Sequence, residues 1–361
     1  MTNQANVNAD QERILSVDFF RGFTMFMLVS GLGQLFHPTS THPFAAFIGR
    51  QMDHADWEGL TAWDLVQPFF MFIVGVSMPF ALSRKRAKGE SWNKTFRSAL
   101  RRSFLLLFLG WLISSETKSS FTNVLAQLSV TYLLAFLIIR KPMVWQILFS
   151  VALIIFNDVI YRVWPVEGFN QPFTADHNFG SWFDVFLTGG LSEDRWVPFN
   201  AIPTTAHTIW GVLAGMVLMK GWTPQKKILT ILLPGIGLVI AGYVLGMYIP
   251  IIKRVCTSSF IIVSGGWALI ALACCYYLID VLNFRKTVLF FAIVGMNPLF
   301  IYLFVHSGGK NLLSSLAIPI TARLFGRISP EAIQVSTVLL VSAMLWYICY
   351  FLYKKKIFIR I

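Results

Sequence analysis

Long apolar runs separated by short polar stretches dominate this chain, and the runs approach the roughly twenty residues a helix needs to cross a hydrocarbon layer. Ten spans are predicted, over roughly 19–36, 62–83, 99–115, 122–140, 142–164, 201–219, 227–250, 258–280, 287–306 and 333–353. Runs such as 104–113 and 124–139 lack the alternation of a lipid-facing strand, so helices are expected and a β-barrel is not. The expectation is an all-α polytopic integral membrane protein, with residues 1–18 as an N-terminal tail and 19–361 as one transmembrane domain. Polar, Gly/Pro-punctuated connections near 37–63, 165–200 and 307–331 are expected as loops on one face, where binding residues usually sit. No internal repeat is visible, which weakens an inverted-repeat transporter reading.

Composition agrees with this pattern. Of 361 residues, 56% are hydrophobic and only 13% charged, and mean hydropathy is +0.64, too apolar for a soluble fold. The net charge of +13 raises the question of nucleic acid, but the cations fall between apolar segments and no basic patch alternates with aromatics. The expected partner is the lipid bilayer, with no nucleic acid. Assigning alternate connections to opposite sides puts twenty Lys/Arg on one side, including Arg13, eight within 84–102 and four within 354–360. Nine fall on the other side, among them Lys118, Lys253 and Arg254, with Arg21 counted inside the membrane. By the positive-inside rule both termini are cytoplasmic and the three loops extracytoplasmic, in a bacterial inner membrane. The first fifteen residues lack a signal peptide's apolar stretch, so the first span is expected to stay as an anchor. The four cysteines have neither metal nor redox spacing and read as small core residues.

Candidate chemistry concentrates where the second span begins. His54 has Asp53 and Asp56 as near neighbours, and a carboxylate beside an imidazole fixes its tautomer and stabilises its protonated form. The competing reading is an interfacial loop with solvated acids. Asp64 suits the first turn of a helix, where the dipole favours an acid without further role. Trp57 fits a substrate platform or an interfacial aromatic belt. Asp18 and Arg21 lie three apart and can pair on a helix, or Arg21 can meet an anionic cofactor group. Arg84, Arg86 and Arg101 suit nucleotide phosphates as well as they suit lipid headgroups. Asn200, His207 and His306 lie at helix ends expected outside the cytoplasm, and Asn297 before Pro298 suggests an interrupted helix. No His pair has metal-ligand spacing, and no metal is expected.

Taken together, Leu15-Ser16-Val17-Asp18-Phe19-Phe20-Arg21-Gly22, His54-Ala55-Asp56-Trp57-Glu58-Gly59-Leu60-Thr61, Asp64-Leu65-Val66 and Pro68-Phe69-Phe70-Met71-Phe72-Ile73-Val74-Gly75 resemble the heparan-α-glucosaminide N-acetyltransferase family. Weaker likenesses continue through Gly211-Val212-Leu213-Ala214-Gly215, Thr257-Ser258-Ser259-Phe260 and Gly295-Met296-Asn297-Pro298. The resemblance implies a membrane enzyme that passes acetyl from cytoplasmic acetyl-CoA to a glucosamine amine on the far side, with His54 at the active-site histidine position. Ser30 or Gly31 stands where many relatives carry an asparagine late in the first helix, and Ala126-Gln127 stands where Gln-Arg is usual. On this reading His54 serves as base or transient acyl carrier, with Asp53 or Asp56 orienting it and Asn297 donating to the oxyanion. Arg21, Arg84, Arg86, Arg101 and Gln127 are the residues toward the donor; Trp57, Ser30, His207 and His306 are those toward the saccharide acceptor. A homo-oligomer is compatible with the pattern. The alternatives are a proton-coupled transporter or flippase for a sugar or lipid-linked sugar, and a non-catalytic membrane scaffold.

Overall fold

A computed structural model describes residues 14–36, 42–114 and 121–359; the tail through Arg13, the start of the first long loop, Lys118 and Arg360 lie outside the described residues. The described residues are helical, with no strand among them: α1 Leu15–Ser30, α2 Pro43–Gln51, α3 Val66–Ala87, α4 Trp92–Ile113, α5 Val124–Ile138, α6 Met143–Val163 and α7 Phe179–Thr188, then α8 Ala201–Leu218, α9 Pro224–Gly246 and α10 Ser258–Cys275, the last continued by a π-turn over Tyr276–Val281. The chain ends with α11 Val288–Met296, α12 Pro298–Phe304, α13 Lys310–Phe325 and α14 Pro330–Lys354. Starts are written in the sequence. Ser91, Asn123, Thr223 and Ser329 each accept a backbone N–H from the first turn of α4, α5, α9 and α14, satisfying donors that a helix leaves open.

Every segment expected to span is helical. Among the described residues six helices are long and apolar enough to cross a membrane, and the pair α11 plus α12–α13, bent by 73° at Asn297, brings the number to seven if it counts as one span. The other three expected spans lie on α1, α4 and α5, of 16, 22 and 15 residues; α1 and α5 are short, and the N-terminal half of α4 carries Arg97, Arg101 and Arg102. Three expected loops contain helices. Those are α2 within 37–63, α7 within 165–200 and α13 within 307–331. In α13 the buried residues Leu313, Ala317 and Thr321 recur every four positions, a helical stripe facing α14 that Pro319 and the serines conceal from a hydropathy reading.

The core forms around α8, whose span is 83% buried, whereas that of α9 is 17% buried and leaves most of its surface to lipid. Small residues let α3 and α8 touch backbone to backbone. A methyl group at Gly75 would meet the Thr208 carbonyl oxygen at 2.0 Å, and one at Gly211 would meet that of Phe72 at 2.0 Å. At one end of the bundle, the Asp280 carboxylate accepts the Leu15 and Ser16 N–H groups at 3.0 and 3.1 Å and so caps α1. Since α1 leaves that end and α10 arrives there, the segments after α1 and before α10 share the opposite end. Gly59 N–H donates to the Ile251 carbonyl across those two segments at 2.8 Å.

Gly75→Ala and Gly211→Ala are each expected to destabilise the bundle by about 1–3 kcal/mol through overpacking. Gly237→Ala, with no atom near its added methyl group, is the control and should not lower Tm. Thermal unfolding of the detergent-solubilised protein checks all three.

Candidate active site

Two turns converge at the end of the bundle opposite Asp280. The first, residues 52–65, is folded around the Asp64 carboxylate. Asp64 sits on the 3-10 turn Trp63–Leu65 that leads into α3, and is 1% exposed. Its Oδ2 accepts the Thr61 N–H at 3.1 Å and the Ala55 N–H at 3.3 Å, while the Thr61 hydroxyl donates to the Asp53 carbonyl at 2.6 Å. Its Oδ1 lies 2.7 Å from His54 Nδ1. An ionised carboxylate only accepts, so the proton of that short bond belongs to Nδ1 and the lone pair to Nε2.

The second turn, residues 247–257, is closed by hydroxyls. Thr257 Oγ1 accepts the Ile252 N–H at 3.0 Å and donates to the Pro250 carbonyl at 2.8 Å. Cys256 takes a positive φ of 52° and returns its N–H to the Lys253 carbonyl at 3.0 Å. This geometry points Lys253 inward, only 7% exposed, with Nζ 3.4 Å from Asp64 Oδ1 and 3.3 Å from His54 Nδ1. Burial pulls the Lys253 ammonium down to about 8, and the Asp64 carboxylate opposes a further fall. The lysine is therefore a cation at neutral pH. Arg254 donates to the carbonyls of Ala55 and Asp56, tying the two turns together. Trp196 covers the group, its ring edge-on to His54 at 5.6 Å and 5.3 Å from Lys253 Nζ.

A polar chain runs from this cluster into the bundle. Gln67, one turn after Asp64, donates to Gln127 at 2.8 Å; Gln127 donates to Asn200 at 2.8 Å; Asn200 donates to the Arg254 carbonyl at 3.1 Å. Gln127 and Asn200, both singled out in the sequence, thus connect to the His54 end through α3, α5 and the start of α8. Trp57 donates to the Phe173 carbonyl at 2.7 Å and anchors the same loop to the 165–178 segment.

Several expectations are corrected. The carboxylate on the His54 ring is Asp64, not Asp53 or Asp56. Asp53 accepts the His54 backbone N–H at 2.8 Å, because a side chain one residue away reaches the main chain more readily than the ring. Asn297 is fully buried at the α11–α12 elbow, and its amide is taken by the Ile357 carbonyl and the Ile359 N–H, both at 2.9 Å. The structure puts that amide against the C-terminal segment and not beside His54. His207 packs inside α8 with Nε2 2.8 Å from the Ser264 hydroxyl, and His306 stacks on Tyr302. Buried Ser30 accepts at its carbonyl from Ser342 at 2.8 Å. None of these three has a contact to His54. Arg21 lies 3.6 Å from Asp18 and donates to Ser77 at 2.7 Å. Arg84, Arg86 and Arg101 are exposed, the first two about 30 Å from Asp64 by helix rise along α3.

Lys253 and Arg254 were missed as site residues. The available signal was two adjacent cations on the side that the positive-inside rule depletes. Among the described residues no group of three or more His, Cys, Asp or Glu is placed to hold a metal ion. Asp64→Ala leaves Lys253 buried without its counter-charge and is expected to destabilise by about 3–5 kcal/mol. Asp53→Ala removes a single exposed local bond and should stay below about 1.5 kcal/mol. Comparing the two variants' Tm with the parent's checks the assignment of the His54 partner.

The sequence model described as heparan-alpha-glucosaminide N-acetyltransferase, catalytic, matches residues 13–249, which include His54, Asp64 and Gln127 and end just before Lys253. The heparan-alpha-glucosaminide N-acetyltransferase of Homo sapiens is 31% identical over 132 residues, 33% of this chain and 18% of the human protein. That of Mus musculus is 30% identical over 132 residues with the same coverage, so the aligned stretch is under a fifth of either mammalian protein. With the match extending over most of the helical bundle and across the head of α3, the chain belongs to the heparan-alpha-glucosaminide N-acetyltransferase catalytic family.

Proposed function

We propose that this protein transfers acetyl from acetyl-CoA to the amine of an amino sugar, or to a related saccharide, on the extracytoplasmic side of a bacterial inner membrane, with ten spans and cytoplasmic termini. One observation carries the reading: an imidazole whose Nδ1 is held by a buried carboxylate sits at the opposite end of α3 from the exposed cations Arg84 and Arg86. The cationic end suits the phosphates of a donor supplied from the cytoplasm. The His54 end suits an acceptor. His54 retains 35% side-chain exposure, and an open depression bordered by Glu58, Gly59, Tyr248 and Ile251 adjoins its loop.

Two routes use the same ring. In direct transfer the acceptor nitrogen bonds to the thioester carbonyl carbon, the carbon–sulfur bond breaks, and His54 Nε2 takes the amine proton and returns it to the CoA thiolate. In the two-step route Nε2 attacks the carbonyl, CoA leaves as thiolate, and the acceptor displaces the acetyl group from the ring, its proton going to the thiolate. Both require a neutral ring with its proton on Nδ1.

Labelled acetyl-CoA supplied with a panel of amino sugars tests the reading. His54→Ala is expected to lower transfer about 10²- to 10⁴-fold while the protein elutes and melts like the parent. Undiminished transfer in that folded variant removes His54 from the reaction. Sugar uptake into proteoliposomes driven by a pH gradient without CoA would replace the acetyltransferase reading with transport.

A further inference from the structure

Lys253 is unusual among the cations of this chain. It is buried, it lies on the side expected to carry the smaller share of Lys and Arg, and it stands against the one imidazole that the proposed chemistry uses. It also falls outside the family match, which ends at residue 249. A buried ammonium is costly unless an opposite charge offsets its desolvation, and Asp64 is that charge here.

The geometry around His54 Nδ1 defines the dependence. Two groups approach that atom, Asp64 Oδ1 at 2.7 Å and Lys253 Nζ at 3.3 Å. The proton on Nδ1 is committed to the carboxylate, so Lys253 has no lone pair to meet on the ring; its ion-pair partner is Asp64, at 3.4 Å. The lysine therefore acts on the ring through charge alone. Asp64 by itself would favour the imidazolium, and a cation 3.3 Å from the same nitrogen opposes it. Other charged side chains at this end make their contacts away from the ring nitrogens. Arg254 donates to the carbonyls of Ala55 and Asp56, Asp53 accepts the His54 N–H, and Arg195 pairs with Asp176 at 3.5 Å. Cys256 faces Lys253 as a buried thiol held well above its usual range, up to about 12, and so brings no charge. Trp196, over Lys253 and edge-on to His54, shields both with an uncharged surface.

We propose that Lys253 is a positioning residue that cancels the pull of Asp64 on the His54 ring, so that Asp64 orients the imidazole and fixes its proton on Nδ1 without turning it into an imidazolium. The role rests on His54 being the reacting group. It separates two consequences that a carboxylate–histidine pair otherwise joins, orientation and basicity. A ring held neutral keeps Nε2 available as base or nucleophile, and a proton taken up there during transfer is readily handed on to the CoA thiolate.

The protonation of His54 can be read without acetyl transfer. Diethyl pyrocarbonate modifies neutral imidazole, and peptide mass spectrometry reports its reaction at His54 separately from the other histidines, as a function of pH. Lys253→Gln keeps a donor toward Asp64 without the charge, Lys253→Met fills the buried stem volume, and Lys253→Arg keeps the charge. In either neutral variant the pH midpoint of modification at His54 is expected to rise by about one unit or more, and in Lys253→Arg to stay at the parent's value. Asp64→Asn removes the opposing charge and is expected to move the midpoint down. A folded neutral variant whose midpoint equals the parent's overturns the proposal, as does an Asp64→Asn midpoint that rises. The acid limb of acetyl transfer should move with the modification midpoint. A parent protein that modifies as expected but transfers no acetyl group would refute the proposed function and leave only the charge effect of Lys253 on the His54 ring standing.

Discussion

A carboxylate buried at the head of a helix has to be neutralised and hydrogen-bonded, and the arrangement of this end of the molecule follows from how Asp64 meets that demand. Its two oxygens collect the His54 ring, the Thr61 and Ala55 N–H groups and the Lys253 ammonium. Residues 199 apart in sequence, His54 and Lys253, are thereby drawn to one atom. The same interactions shape the loop before α3, close the turn before α10 against it, and leave the imidazole with a fixed proton and one free nitrogen. Orientation of the ring and stability of the loop are in this sense the same interaction, so a change at Asp64 affects both.

What lets the two turns meet is the packing beneath them. Backbone contact at Gly75 and Gly211 sets the spacing of α3 against α8, and Asp280 fixes the far end of α10 to the start of α1. With those distances set, α3 carries Asp64 at one end and a cluster of cations at the other, separated by roughly the thickness of a bilayer's apolar core. The chain Gln67–Gln127–Asn200–Arg254 keeps its polar groups paired while crossing from helix to helix inside an apolar bundle. A bundle with these features holds an oriented imidazole at one face while presenting a basic surface at the other, which is the division of labour that the proposed acyl transfer across a membrane requires.

Hydropathy made the bundle legible because lipid forces every span to be apolar and helical, and all ten expected segments are helices. It failed for helices too short or too interrupted to read as spans. α2, α7 and α13 are short or interrupted by Pro319 and hydroxyl residues, so the same reading took them for loops. Around His54 the concentration of titratable groups was legible, but the carboxylate that holds its ring was not. Proximity in sequence favoured Asp53 and Asp56, whereas the loop folds back so that Asp64, ten positions on, faces the ring. Lys253 and Arg254 come from the far half of the chain, and no local pattern announces a contact that only the α3–α8–α10 packing creates. Asn297 shows the converse. Its interruption of a helix was readable from the proline that follows, but the C-terminal segment that occupies its amide was not.

The most direct measurement is an experimentally determined structure of the protein in nanodiscs with CoA bound. The expected result is the nucleotide among the cations at the Arg84 end and the thiol sulfur beside His54 Nε2, so that an acetyl carbon borne on it would come within about 3.5 Å of the ring or the acceptor. A thiol that ends away from His54, or a nucleotide seated on the His54 face with no path to the cationic end, would contradict transfer across the bundle.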